Sequence, residues 1–171
     1  IETHFGDNYG NTDNFIFPIS FSSSKEWLDD FVENRLEMFG PYQDYIFHKE
    51  PYLYHSCLSS SINIGLLQPS EIISIILLRQ NDFSLNSVEG YIRQLFWREY
   101  QRYCYIYCTF PSHFFKIKQS LGIQWYNGTT GIDPIDDYIK IAFDTGYLHH
   151  IVRLMLIGNY MNLTVSYTHL R

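Results

Sequence analysis

Apolar residues recur at helical spacing along most of the chain. Serine, glycine and proline cut this pattern into segments. Trp27, Leu28, Phe31, Val32, Leu36 and Phe39 follow a 3.6-residue period. Ser24 precedes them as a cap, followed by Lys25 and Glu26, and Gly40-Pro41 follows as a stop, which predicts one helix between these signals. A second, short helix is predicted from Ser59 or Ser60 past Ile62, broken at Gly65 or Pro69. Ser70 caps a third, EIISIILLRQ, with Glu71 in its first turn. NDFSLN reads as a loop. Ser87 then opens a long helix over 88–107 with apolar positions at 88, 91, 92, 95 and 96, ended by Phe110-Pro111. SHFFKIKQSLG reads as a short helix and WYNGTTG as a glycine turn. Pro134 starts the next helix and Gly146 separates it from a last one, TGYLHHIVRLMLIGNY, predicted to be mostly buried. No segment alternates convincingly as a strand would. The pattern predicts an all-α fold with short connections, preceded by a connector over 1–24 that is rich in Gly, Asn and Asp.

Composition sharpens this picture. The 171 residues suffice for a domain with a sizeable core. Aromatic residues make up 18%, with 15 Tyr and 13 Phe, enough to line a flat, ring-shaped pocket. The net charge of −6 argues against a free-standing nucleic-acid binder, though not against a local basic patch. Three cysteines, Cys57, Cys104 and Cys108, with no C-x-x-C pair, make neither a disulfide framework nor a zinc site. They read as buried thiols of a protein in a reducing, intracellular compartment. The longest strongly apolar run, IISIILL, is too short to span a bilayer.

Three stretches carry candidate chemistry. In YHSCLSSSINIGLL, serines crowd a turn that feeds a helix, so hydroxyls and amides offer either an anion site or a plain serine-rich cap. In EGYIRQLFWREYQRYC, Gln94, Trp97 and Arg98 are helical neighbours: an amide, a stacking face and a permanent cation. They could hold an anionic cofactor and a base, or be an ordinary core tryptophan among surface charges. In the last stretch, Arg153 lies three and four residues beyond His150 and His149, which sit about 100° apart on an α-helix. Adjacent histidines do not make a metal motif, and no G-x-G-x-x-G or P-loop is present.

RLEMFGPYQDYIFHKEPYLYHSCLSSSINIGLLQPSEI, SVEGYIRQLFWREY, WYNGTTG and GYLHHIVRLMLIGNY occur in this order. Together they resemble the helical flavin-binding domain of DNA photolyases and cryptochromes. The likeness is greatest to the prokaryotic photolyase-related branch, whose members repair (6-4) photoproducts, and it covers roughly residues 15–163. The resemblance implies a truncated helical FAD-binding domain over 25–164. It implies FAD as cofactor, UV-damaged DNA as partner with the lesion flipped into a pocket, no membrane association and a monomeric full-length form.

Residue by residue, the resemblance implies that Tyr42 packs on or hydrogen-bonds the flavin and that His55, Ser56, Cys57, Leu58 and Ser59 grip its diphosphate. Arg98 would lie against the flavin, and Arg153 would pair with an acid near it. Gln94 and Trp97 would face the lesion; the wider family often has glutamate at the first position, and glutamine resembles the (6-4) type. His150 would be the active-site proton donor, with His149 packing behind it. Animal-type (6-4) enzymes carry a further histidine where this chain has Leu154.

Some features depart from the family. Where the branch places its first iron–sulfur cysteine this chain reads GIDPIDD, which speaks against a cluster. Residues 1–24 are expected to be the exit of an N-terminal antenna domain, and 165–171 to be a non-family tail of artefactual origin. The isolated polypeptide is expected to be poorly soluble and to bind flavin weakly or not at all. Two other readings stay open on the sequence: a cryptochrome-like photoreceptor with the same cofactor, and a helical interaction domain with none.

Overall fold

A computed structural model describes residues 15–47, 50–108 and 122–164, together with His4, Gly6 and Asp13. The Phe110-Pro111 stop, nearly all of the predicted helix over 112–122 and the 165–171 tail lie outside the described residues. Every regular element among the described residues is helical. The chain forms two compact units, one of residues 17–111 and one of 112–171 with 1–16.

In the first unit, α1 (Phe21–Asn34) starts earlier than its apolar pattern suggests. Ser20, not Ser24, is the cap. Its Oγ accepts the Ser23 amide at 3.2 Å, and the Ser23 Oγ accepts the Ser20 amide at 3.2 Å. Ser24 is fully buried, and its hydroxyl donates to Ser61 at 3.2 Å. The helix breaks at Arg35 (φ −128°) rather than at Gly40-Pro41, and α2 (Leu36–Tyr42) contains Pro41. Proline has no N–H for the carbonyl four residues back, that of Glu37. The Ser87 hydroxyl takes that place, donating to the Glu37 carbonyl at 2.6 Å and accepting the Gly40 amide at 3.1 Å. Gly40 permits the approach: a Cβ there would lie 2.7 Å from the Ser87 nitrogen.

After a loop come α3 (Ser59–Asn63), ended by Gly65 at φ +82°, and α4 (Pro69–Leu78). Pro69 occupies the first turn of α4, where its missing N–H costs no bond, so Ser70 lies inside the helix instead of capping it. A 3-10 turn (Gln80–Asp82) leads to α5 (Leu85–Tyr107). That helix takes in Leu85 and Asn86 from the predicted loop, with Ser84 as its flanking residue, and buries Ser87. The core gathers Leu28, Phe31, Phe39, Leu58, Ile72 and Tyr91, among others. Phe31 and Phe39 pack on the Tyr91 ring at centroid distances of 4.6 and 5.3 Å.

In the second unit, α6 (Gln124–Asn127) turns at Gly128 (φ +61°) and Gly131 (φ +88°) into α7 (Asp133–Thr145), which Gly146 caps at φ +66°. The Asp136 carboxylate accepts the Thr130 amide and hydroxyl, both at 2.6 Å, and the Gly131 amide at 3.0 Å. The last helical stretch is not α-helical at its start. Residues Ile151–Gly158 form a π-helix, and α8 (Asn159–Leu163) continues it. This stretch is amphipathic rather than mostly buried: Val152, Ile157 and Gly158 are buried, while Arg153, Leu154 and Met155 are exposed. Val152 and Ile157 pack with Ile135, Tyr138 and Ile139 of α7.

Candidate cofactor site

The segment from Tyr52 to Leu58 is irregular, and the helices around it hold its shape. Leu53 and Cys57 have φ of +42° and +56°, a left-handed backbone that side chains with a Cβ rarely adopt. His55 is buried, with its ring edge-on to Phe39 at 5.8 Å. An Arg35 guanidinium N–H donates to the His55 carbonyl at 2.8 Å, and Trp27 Nε1 donates to the Ser56 carbonyl at 2.9 Å. The Tyr91 hydroxyl donates to Ser56 Oγ at 3.0 Å, and the Leu58 amide points at the same oxygen at 3.4 Å. Burial pushes the Tyr91 phenol up to about 12, so it remains a donor at neutral pH. Arg35 itself sits 5.8 Å from the Trp27 ring and 5.7 Å from the Phe31 ring, and pairs with Asp30 at 2.8 Å.

Cys57 and Leu58 are buried, whereas Ser59 is exposed. The buried Ser60 hydroxyl has no hydrogen-bond partner among the described residues. Tyr42, half-buried at the end of α2, meets Tyr45 and Tyr54 at 5.2 and 5.4 Å. Arg98 reaches α3 from α5, donating to Asn63 Oδ1 at 2.7 Å and pairing with Glu99. The structure therefore brings Arg98 to the element that follows the 55–58 loop. Serine hydroxyls, one of them buried without a partner, and a guanidinium together suit an anionic group such as a diphosphate. At five residues α3 is too short for its dipole to add much, so hydroxyls and cation carry the fit.

Gln94 and Trp97 lie on the same regular stretch of α5 as Arg98. Gln94 is half-buried, while Trp97 is 50% exposed and edge-on to Tyr100 at 5.4 Å. Arg93, Phe96, Trp97 and Tyr100 form a shallow, open, largely apolar patch on α5. Phe96, predicted on the apolar side, is exposed here. The thiols also depart from expectation. Cys57 is buried, but Cys104, within α5, is half-buried, and Cys108, just past its end, is exposed.

His149, His150 and Arg153 belong to the other unit. His149 precedes the helix and is buried, so the two histidines are not related by the predicted α-helical step. Their rings stand at 75° with centroids 6.5 Å apart. Burial, and then the neighbouring His150, push the His149 imidazole down to about 4, which keeps it neutral. His150 is half-buried and Arg153 exposed, the Arg153 amide donating to the His149 carbonyl at 3.0 Å.

Trp27, Arg35 and Tyr91 were not legible as loop-holding residues. Trp27 and Tyr91 read as apolar helix positions. Arg35 carried one overlooked signal: it lies four residues after Phe31, a cation set on an apolar stripe.

Among the described residues no three His, Cys, Asp or Glu side chains gather into a metal-holding group, and no helix is long and apolar enough to cross a membrane. No protein-family model matches the chain. It is 35% identical over 167 residues to a (6-4) photolyase of Agrobacterium fabrum, covering 94% of this chain and 33% of that protein. It is 41% identical over 110 residues to an uncharacterized protein of Acanthamoeba polyphaga mimivirus, covering 61% of this chain and 85% of that protein. The chain thus spans about a third of the length of the photolyase it matches and most of the length of the viral protein. It belongs to one family with the viral protein, and it is photolyase-related.

Proposed function

Proceeding from that kinship, we propose that the protein carrying this chain is a light-driven, FAD-dependent DNA photolyase acting on (6-4) photoproducts. This chain supplies part of its helical flavin domain. The observation that carries the reading is the likeness to a (6-4) photolyase along 94% of the chain. One feature of the geometry supports it: Arg98 reaches Asn63 at the end of α3, the helix that carries the partnerless Ser60 hydroxyl and follows the loop of His55, Ser56, Cys57 and Leu58 into Ser59. These residues hold the diphosphate of FAD, and the Tyr42 ring packs on the cofactor.

When bound, the flavin supplies light-driven electron transfer to the lesion. The chain's own residues position and protonate. Gln94 offers an amide to the flipped-out lesion, and Trp97 offers a half-exposed ring for a base to stack on, worth about 1–3 kcal/mol. His149 is buried and neutral, so the proton-donor role falls to His150 beside it. Arg153 pairs with an acid near the flavin.

The test uses the full-length protein with reduced FAD and an oligonucleotide carrying one (6-4) photoproduct. Illumination is expected to restore the intact bases, and His150→Ala to remove repair while leaving flavin content unchanged. Bound flavin with no light-dependent repair by the unaltered protein would instead mark a photoreceptor, and no flavin at all an interaction domain.

A further inference from the structure

Two neighbouring carbonyls of the 55–59 segment are held by side chains, one from α1 and one from the residue that ends it. Trp27 Nε1 reaches the Ser56 carbonyl at 2.9 Å, and the Arg35 guanidinium reaches the His55 carbonyl at 2.8 Å. The two holders are coupled, since the Arg35 guanidinium lies 5.8 Å from the Trp27 ring. Tyr91 fixes the Ser56 side chain from α5 at 3.0 Å. The next residue, Cys57, stands at φ +56°, where a side chain with a Cβ is strained and persists only because its surroundings over-determine it. Arg35 is the residue at which α1 breaks, and its own φ of −128° is non-helical. The break and the strained loop thus meet at one guanidinium.

We propose that Trp27 and Arg35 are positioning residues for the cofactor: by pinning the Ser56 carbonyl to α1 and the His55 carbonyl to the break that ends α1, they fix the backbone path of Cys57, Leu58 and Ser59 against which the diphosphate binds. The role requires neither side chain to touch the ligand. They act by keeping the loop in its bound shape before the ligand arrives, so that binding does not have to order it. The inference rests on the flavin reading above, which supplies the ligand.

Three variants of the full-length protein test it, with oxidised FAD as the probe. Trp27→Phe keeps the ring and removes the N–H donor. Arg35→Met removes the guanidinium, and Arg35→Lys keeps a charged donor. The readouts are the FAD dissociation constant after reconstitution, hydrogen exchange at the amides of residues 57–59, and the unfolding midpoint of the flavin-free protein. Trp27→Phe and Arg35→Met are each expected to weaken FAD binding about tenfold or more and to speed exchange at 57–59. The flavin-free unfolding midpoint should fall by no more than one orphaned carbonyl accounts for, a few degrees, and Arg35→Lys should recover part of the affinity. Unchanged FAD affinity in a folded Trp27→Phe protein overturns the proposal. So does a loss of affinity without faster exchange at 57–59.

Should Trp27→Phe and Arg35→Met not fold, Cys57→Gly decides. Glycine adopts the left-handed backbone without strain but also frees the loop, so FAD binding is expected to weaken severalfold with no loss of thermal stability. Unchanged binding in Cys57→Gly would then overturn the proposal. Failure of the unaltered full-length protein to bind FAD is a separate result, and it strikes the functional reading itself.

Discussion

Replacing Ser87 with alanine should destabilise the 17–111 unit through the two backbone groups its hydroxyl joins, the Glu37 carbonyl and the Gly40 amide. Pro41 leaves the Glu37 carbonyl without its helical N–H, and the fully buried Ser87 hydroxyl fills that role at 2.6 Å. The same oxygen accepts the Gly40 amide at 3.1 Å. Alanine removes the donor to the part-buried Glu37 carbonyl and the acceptor of the buried Gly40 amide, a loss of about 1–3 kcal/mol. The cause can be isolated with Pro41→Ala, which gives position 41 an N–H able to bond the Glu37 carbonyl within α2. In that background Ser87→Ala should cost about 1 kcal/mol less than it does beside Pro41. Equilibrium urea unfolding of the four chains of this double-mutant cycle, followed by tryptophan fluorescence and circular dichroism, measures the coupling. A Ser87→Ala cost below about 0.5 kcal/mol, or one equal in both backgrounds, refutes the reasoning. The pair matters to the site because α2 carries Tyr42 and α5 carries Gln94, Trp97 and Arg98. Loosening their contact displaces one set against the other.

Two further predictions concern acid and the second unit. His149 is buried and held neutral down to about 4, against an unfolded value near 6.5, so the unfolded chain takes up its proton first. Its contribution to stability is whole above pH 6.5 and declines as pH falls toward 4, by about 3 kcal/mol in total; His149→Gln should flatten unfolding free energy against pH across that window. Burial raises the Asp136 carboxyl, but the hydrogen bonds from Thr130 and Gly131, with Lys140 nearby, together hold it below its ordinary value. Its stabilising effect is present above the ordinary carboxylate range and lost as pH falls through the lowered value. Asp136→Asn should therefore weaken the unit at pH 7 and narrow its difference from the unaltered chain in acid, as read from thermal unfolding at several pH values.

The helical class was legible because the apolar spacing is strong, and the reasons for the misses are local. Ser20, Ser23 and Ser24 are chemically alike, so only the backbone decides which one caps and which is buried against Ser61. Gly40-Pro41 carries a stop signal, yet a hydroxyl forty-six positions beyond Pro41 satisfies what the proline leaves open, and no local rule sees that far. Ser87 looked like a cap for the same reason that it serves here, namely a short side chain with a donor. The α-helical period also gave no sign of the π-helix after His150, since the two hydrogen-bond patterns share apolar residues. At the candidate site, the serines and Arg98 stood out by chemical type. Trp27, Arg35 and Tyr91 act through single bonds to a loop distant in sequence, and that pairing becomes visible only once α1 and α5 flank the loop.

On the proposed function, this chain builds part of a flavin socket. The most direct measurement is the cofactor content of the full-length protein, purified and then denatured to release what it holds. About one FAD per chain is expected, sharply reduced when Arg98 is replaced by alanine and Ser60 by valine together. A folded full-length protein that releases no flavin and takes up none from excess FAD contradicts it.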